Sequence, residues 1–436
     1  MKRVLIITYY WPPSGGSGVQ RWLKMSKYLP ENGWQPVIYT PEEGEYPILD
    51  PSLEKDIAPE AEIIRRPIVE PYTLYKKFLG IKKSETVKAG FIKEEGKKPG
   101  WKENLAVWIR GNLFIPDARC WWVKPSVRYL KEYLKNHPVD AIISTGPPHS
   151  MHLIAMKLKE ALGIPWIADF RDPWTEIDYY DELRLTKWAD RKQHCLEREV
   201  LTKADKVVTI GWECAKSLGR LGNRNVRVIP NGFDWDANVA PSESPVLSEF
   251  TLAHVGIIGA NRNEHQLWAA LCELKAAYPE FSKKLRIKLI GQVDQSVLKS
   301  INENHLRENT ELIPYVPHNQ IQHVQASSQV LLLFINHTPN AKGILTGKIF
   351  EYLASGRPIL CIGPEEGDAA HILKETHAGQ TVSFEDKEKM KGVIKDLYQK
   401  YLENGLLSYE NKEVEKYSRK ALAEEYGKLL DKTITE

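Results

Sequence analysis

Cysteine is scarce in this 436-residue chain: Cys120, Cys195, Cys214, Cys272 and Cys361 stand far apart, and none forms a Cys-x-x-Cys pair. That spacing offers neither a zinc knuckle nor a disulfide framework, and it points to a reducing, cytoplasmic compartment. No apolar run reaches the roughly 18–20 residues a membrane-spanning helix needs. Val4-Leu5-Ile6-Ile7-Thr8 gives way to Tyr9-Tyr10-Trp11-Pro12-Pro13 too soon for a signal-peptide core, so the expectation is a soluble, unexported chain. A dominant charge is missing as well. Sixty Lys and Arg against 57 Asp and Glu leave +3, which gives no bulk attraction for nucleic acid. The exception is local: Lys76–Lys102 holds nine lysines and three acids, with Phe78, Phe91 and Trp101 between them.

What is present is ordinary globular material, 42% hydrophobic and 27% charged, in a chain long enough for two large domains. Short β-branched runs alternate with loops and amphipathic helices. Val4–Thr8, Gln35–Thr40, Glu62–Pro67, Val139–Thr145, Trp166–Phe170, Lys206–Ile210 and Val226–Ile229 read as strands. Helices are expected at Gly18–Leu29, His152–Leu162 and Leu183–Thr202. A cluster of Gly, Pro and Ser at Asn231–Ser248 reads as a linker. The rhythm then resumes with strands at Thr251–Ile258, Leu285–Ile290, Glu311–Tyr315, Val330–Ile335, Pro358–Ile362 and Gln380–Phe384 and a helix near Glu264–Tyr278. Two helices follow at Lys387–Leu402 and about Lys412–Thr433. Strands alternating with helices imply parallel sheets covered on both faces. The expected class is α/β with two Rossmann-like domains, residues 1–235 and 236–410, and a terminal segment 411–436.

Ligands of such sheets bind outside the carboxyl ends of the strands. The loop Pro12-Pro13-Ser14-Gly15-Gly16-Ser17-Gly18 opens the first helix, where amides and positive partial charge suit an anion; a plain tight turn explains it equally well. It is not a dinucleotide fingerprint, because Arg21 stands where a third glycine belongs. Nor is Gly343–Ile349 a P-loop: it has one residue too few between its glycines, and Ile349 replaces the metal-binding hydroxyl. Asp234-Trp235-Asp236 has the form of a metal pair but no third ligand nearby, so no metal is expected. In Thr346–Leu360, Thr346 is expected to cap a helix and Gly356 to end it. Lys348 and Glu351 then share a face near its amino end, as a ligand site or as an ordinary surface ion pair.

Gly347-Lys348-Ile349-Phe350-Glu351-Tyr352-Leu353-Ala354-Ser355-Gly356-Arg357-Pro358 resembles the nucleotide-binding segment of glycosyltransferase family 4, which has the two-domain GT-B architecture. Tyr9–Gly16, Asp169–Trp174, Val228–Asp234 and His254-Val255-Gly256 agree with that family in the same order. The resemblance implies a domain pair facing across a cleft, with a terminal helix returning to the first domain. Glu351 matches the second glutamate of the family's pair, which holds ribose hydroxyls. The first should stand at position 343, which is Gly343, leaving amides around Gly343–Gly347 for the donor sugar. Arg262 and Lys348 would clamp the diphosphate, and Gly15 and Gly16 match a loop that approaches it. His149, after Ser144-Thr145-Gly146-Pro147-Pro148, would face the sugar or serve as an ordinary hydrogen-bond partner. Asp169, Arg171 and Asp172 would contact sugar or acceptor, or Asp169 and Arg171 would pair structurally. His318 would lie near the base.

The implied activity is transfer of a sugar from a UDP- or GDP-sugar to a saccharide or lipid-linked saccharide in cell-surface polysaccharide biosynthesis. It would retain anomeric configuration and need no metal or cofactor. Alternatives on the same fold are a sugar-nucleotide epimerase and a catalytically silent scaffold. The Lys76–Lys102 segment is expected either to rest on an anionic membrane surface, making the protein peripheral to the inner face, or to be a solvated insertion.

Overall fold

The computed structural model describes residues 1–70, 101–234, 249–314, 316, 318–409 and 413–436. It divides into two compact units, Met1–Pro230 with Arg419–Glu436, and Asn231–Ser418. The first holds strands β1 (Lys2–Ile7), β2 (Trp34–Pro41), β3 (Glu62–Arg66), β4 (Ala141–Gly146), β5 (Trp166–Phe170), β6 (Lys206–Thr209) and β7 (Arg227–Val228). They form one sheet in the order β3-β2-β1-β4-β5-β6-β7, every pair parallel. The second holds β8 (Phe250–Val255), β9 (Leu285–Ile290), β10 (Thr310–Ile313), β11 (Val330–Phe334), β12 (Ile359–Ile362) and β13 (Gly379–Val382). Their order is β10-β9-β8-β11-β12-β13, again all parallel.

The sheets form because their strands are apolar on both faces. β4, β5, β8 and β11 are buried at every residue, and helices pack above and below. Each sheet reverses its strand order beside its first strand, β1 in one unit and β8 in the other, and the loops after those strands are where an α/β sheet takes a ligand. All thirteen strands among the described residues fall on the runs read from the sequence. Helices Trp101–Leu113 and Cys120–Asn136 are not among those named from the sequence, nor are Trp212–Gly222, Gln295–Glu303 and Asp368–Thr376; Pro125 interrupts the helical pattern of Cys120–Asn136. Helix Lys187–Lys203 starts later than Leu183, because Tyr180–Leu183 is a 3-10 turn and Arg184 takes a left-handed φ of 50°. The last helix is Arg419–Thr435, following a 3-10 turn at Glu415–Tyr417.

That last helix belongs to the first unit. Leu422, Ala423, Tyr426 and Leu430 join the core built by Val4, Ile6, Trp22 and Leu23, and the Trp22 and Tyr426 rings meet at 5.1 Å. At the centre of this layer stands Asp169, fully buried at the end of β5. Arg21 Nη2 donates to its Oδ1 at 2.8 Å, Trp22 Nε1 to Oδ2 at 2.8 Å, Thr145 Oγ1 to Oδ2 at 2.9 Å and the Tyr426 hydroxyl to Oδ1 at 2.6 Å. Arg21 Nη1 also donates to the Pro230 carbonyl at 2.8 Å. Burial opposes ionisation of Asp169, but the Arg21 guanidinium and these donors outweigh it and hold its pKa below the ordinary carboxylate value.

Removing one partner of a buried ion pair strands the other, so Arg21→Met should cost about 3–5 kcal/mol. Tyr426→Phe, which deletes one bond to a charged acceptor, should cost about 1.5–3 kcal/mol. Urea denaturation measures both. Because the folded pKa of Asp169 is depressed, its contribution is present above the ordinary aspartate pKa and is lost as pH falls through the folded value. The gap between wild type and Tyr426→Phe should therefore narrow in acid.

Candidate functional site

In the second unit, β8 ends at Val255, whose amide donates to the Tyr352 hydroxyl at 2.9 Å. The next residue, Gly256, has φ 123°, and a β-carbon there would overlap Cε and Nζ of Lys348. Glycine is thus required both by conformation and by the ammonium seated over it. The loop then turns through Ala260–Arg262. Arg262 Nε donates to Asn336 Oδ1, just beyond the end of β11, and Nη1 donates to the Ile257 carbonyl at 3.2 Å.

Lys348 lies in the first turn of helix Gly347–Ala354 and makes no hydrogen bond to a described residue. Burial, then the nearby Arg262 charge, push its pKa down to about 8, while Glu351 pulls it upward. Two half-buried cations therefore converge beside a helix amino end, where an anion is favoured. Thr346 occupies the cap position, but its hydroxyl is buried without a partner among the described residues and does not cap the helix as expected. The amides of Gly343 and Ile344 are turned inward to the Asn340 and Ala341 carbonyls, at 3.0 and 3.2 Å, because Ala341–Gly343 is a 3-10 turn. They are not free for a sugar, contrary to expectation; the open end of the helix begins at Gly347, which is exposed. Glu351, one turn on, is exposed and makes no hydrogen bond or ion pair with a described residue.

Around this cradle the acid-base groups are held neutral. His254 is buried on the Phe334 ring at 4.8 Å with Nδ1 2.9 Å from the Leu332 carbonyl, and burial, with Lys348 adding, lowers its pKa to about 3. Glu264 is 1% exposed, lies 3.2 Å from His337 Nε2 and is pushed up to about 9 by burial, with Glu385 adding. Sequence reasoning missed Asn336 and Glu264. Asn336 was signalled only by its place after a strand, and Glu264 by nothing but its nearness to Arg262.

In the first unit the candidate residues gather at the ends of β1, β4 and β5. Gly15 donates its amide to the Ile48 carbonyl at 2.9 Å, and Gly16, with φ 82°, precedes helix Ser17–Tyr28. Arg171 ties this loop to its neighbour: Nη1 donates to the Gly18 carbonyl at 2.7 Å and Nη2 to the Pro147 carbonyl. It does not pair with Asp169, whose oxygens are taken by Arg21, Trp22, Thr145 and Tyr426 inside the core. Asp172 is exposed. His149 sits at the start of helix Ser150–Leu162, 8% exposed, with its ring stacked on Trp174 at 4.5 Å and 2°. Its Nδ1 has no partner among the described residues, and burial, then His152 and Arg171, hold its pKa well below the usual histidine value. A β-carbon on Gly146 would come within 3.0 Å of that Nδ1 and 2.6 Å of His152 Nε2. The His318 side chain and residues 76–100 of the basic segment lie outside the described residues.

Two parallel Rossmann-like units with a terminal helix rejoining the first constitute the GT-B fold, and known proteins agree. Residues 91–237 match the model of glycosyltransferase family 4. Among solved structures, sucrose-phosphate synthase from Thermosynechococcus elongatus is similar at 14% identity, covering 99% of each chain with a TM-score of 0.55. HepE from Anabaena, in complex with UDP-glucose, is similar at 12% identity over 100% of this chain and 98% of its own, TM-score 0.54. TarM of S. aureus, solved as a point mutant with UDP among its ligands, is similar at 13% identity over 99% and 100%, TM-score 0.56. No curated protein matches the sequence. The expected resemblance to glycosyltransferase family 4 is thus matched over residues 91–237, and the solved structures show that the chain has the GT-B fold.

The cradle makes a direct prediction. In a lysine-specific NMR titration, Lys348 should titrate near pH 8, and Arg262→Met should raise that midpoint, because a like charge has been removed. An unchanged midpoint would mean the two cations do not sense one another.

Proposed function

We propose that the chain transfers a sugar from a UDP- or GDP-sugar to a saccharide or lipid-linked saccharide, in cell-surface polysaccharide biosynthesis on the cytoplasmic side of a membrane. The observation that carries this reading is the pair Arg262 and Lys348, which form no ion pair with a described residue, at the amino end of helix Gly347–Ala354. A glycosyl diphosphate supplies the missing charge. UDP-glucose in HepE and UDP in TarM support a nucleotide-sugar donor. Glu351 would accept hydrogen bonds from the ribose, one helical turn from Lys348.

In the reaction the bond between the anomeric carbon and the diphosphate oxygen breaks, and negative charge grows on the leaving group. Arg262, Lys348 and the open helix amides stabilise that charge. No metal is required in this scheme, and among the described residues no three His, Cys, Asp or Glu side chains gather to hold one. The acceptor oxygen attacks from the face the diphosphate leaves, and its proton passes to a diphosphate oxygen, so configuration is retained. His149, neutral and stacked on Trp174, would hydrogen-bond a sugar hydroxyl rather than act as a cation.

Glu351→Gln should weaken donor binding about ten- to a hundredfold by calorimetry, since bonds to charged groups contribute roughly 1.5–3 kcal/mol each. Arg262→Ala and Lys348→Ala should act mainly on kcat, lowering it on the order of 10²–10³-fold as lost oxyanion donors do. Wild-type affinity in the first together with wild-type turnover in the second would overturn the site. A thermal-shift screen over UDP-, GDP- and ADP-sugars identifies the base. Transfer should survive EDTA; activity lost to EDTA and restored by manganese would refute the metal-free scheme.

A further inference from the structure

Three tryptophans are exposed among the described residues, and all three stand in one corner of the first unit. Trp108 is 39% exposed on helix Trp101–Leu113, Trp121 is 49% exposed at the start of helix Cys120–Asn136, and Trp188 is 67% exposed at the start of helix Lys187–Lys203. Leu113, 63% exposed, lies among them. The corner is held together by Asn112. Its side chain donates to the Trp108 and Arg184 carbonyls at 2.8 and 3.2 Å and accepts the Thr186 amide at 2.6 Å. Phe114 packs edge-on against Trp121 at 5.1 Å. Buried tryptophan stabilises a core; three large indoles left in water do not, so this surface calls for a partner.

The charges around them say which kind. Helix Cys120–Asn136 carries exposed Lys124 and Arg128 on the face that begins at Trp121, and helix Lys187–Lys203 carries exposed Arg191, Lys192 and Arg198 on the face that begins at Trp188. Both helices therefore repeat one layout, an exposed indole in the first turn and cations in the turns that follow. None of these five cations forms an ion pair with a described residue. The acids of these two helices are already engaged: Glu132 with Lys135, Asp190 with His194 and Tyr180, Glu197 with Thr175 and Glu199 with Lys203. Protein interfaces deplete lysine, whereas indoles beside unpaired Lys and Arg suit the headgroup level of an anionic bilayer.

We infer that this corner, Trp108, Trp121 and Trp188 with Lys124, Arg128, Arg191, Lys192 and Arg198, is a docking surface for an anionic lipid bilayer. It deepens the reading of a lipid-linked acceptor and rests on that reading for its purpose, but the test needs neither donor nor acceptor, so the two can fail separately. The full chain is sedimented with phosphatidylcholine vesicles containing about one-third phosphatidylglycerol, and with pure phosphatidylcholine vesicles. Binding is expected only to the anionic vesicles and should weaken steeply with salt. Charge reversal at Arg191, Lys192 and Arg198 should weaken it about a hundredfold. Trp188→Ser should weaken it severalfold. Thermal melting checks that both variants fold. Brominated acyl chains should quench tryptophan fluorescence in wild type more than in Trp188→Ser. Absence of binding to anionic vesicles, or binding undiminished in both variants, overturns the inference. So does concentration-dependent self-association that Trp188→Ser abolishes while vesicle binding stays absent, which would make the corner a protein interface.

Discussion

A carboxylate buried without exposure to water survives as an anion only where each oxygen is met by a donor, and Asp169 meets that condition through four side chains from three elements. Arg21 and Trp22 come from the first helix, Thr145 from β4 and Tyr426 from the last helix. The constraint is cooperative, because leaving any one donor out exposes the others to the cost of an under-satisfied buried charge. It joins a helix near residue 20 to one near residue 426 across the end of β5. Two residues later Arg171 leaves the strand, and its guanidinium holds the Gly18 and Pro147 carbonyls. The satisfied pair inside thus sets where the first unit's candidate loops stand.

The second unit follows the opposite rule. Arg262 and Lys348 are brought near one another without a carboxylate bonded to either among the described residues, and burial together with that proximity lowers the Lys348 pKa to about 8. In an interior built only for stability that arrangement would be a fault. Beside the open amino end of Gly347–Ala354, the proposed function makes it the place where a donor's diphosphate charge would be met. Glu264, kept neutral a short way along the same loop, avoids placing a competing carboxylate near it. The outward-facing cations beside Trp121 and Trp188 repeat this principle at the surface.

Much of the architecture was legible in the sequence because parallel strands buried on both faces must be apolar throughout, and runs such as Val4–Ile7, Ile142-Ile143 and Val330–Phe334 announce themselves. Gly16 was legible as a turn glycine and Lys348 and Glu351 as charged residues on one helix face, whereas Arg262 was singled out only by the family resemblance. Pairing was not legible. Asp169 and Arg171 looked like neighbours that would close a strand, yet Asp169 turned to Arg21, 148 residues away. No local pattern encodes that choice, because it depends on which donors the packed helices bring within reach. Thr346 looked like a cap, but packing buries its hydroxyl away from the helix amides, with no partner among the described residues. The sequence alone determined the strands, the rhythm and the residue types at the strand ends; the tertiary structure decided which charges are neutralised and which are left open, because charge balance is a property of three-dimensional neighbours and not of spacing along the chain.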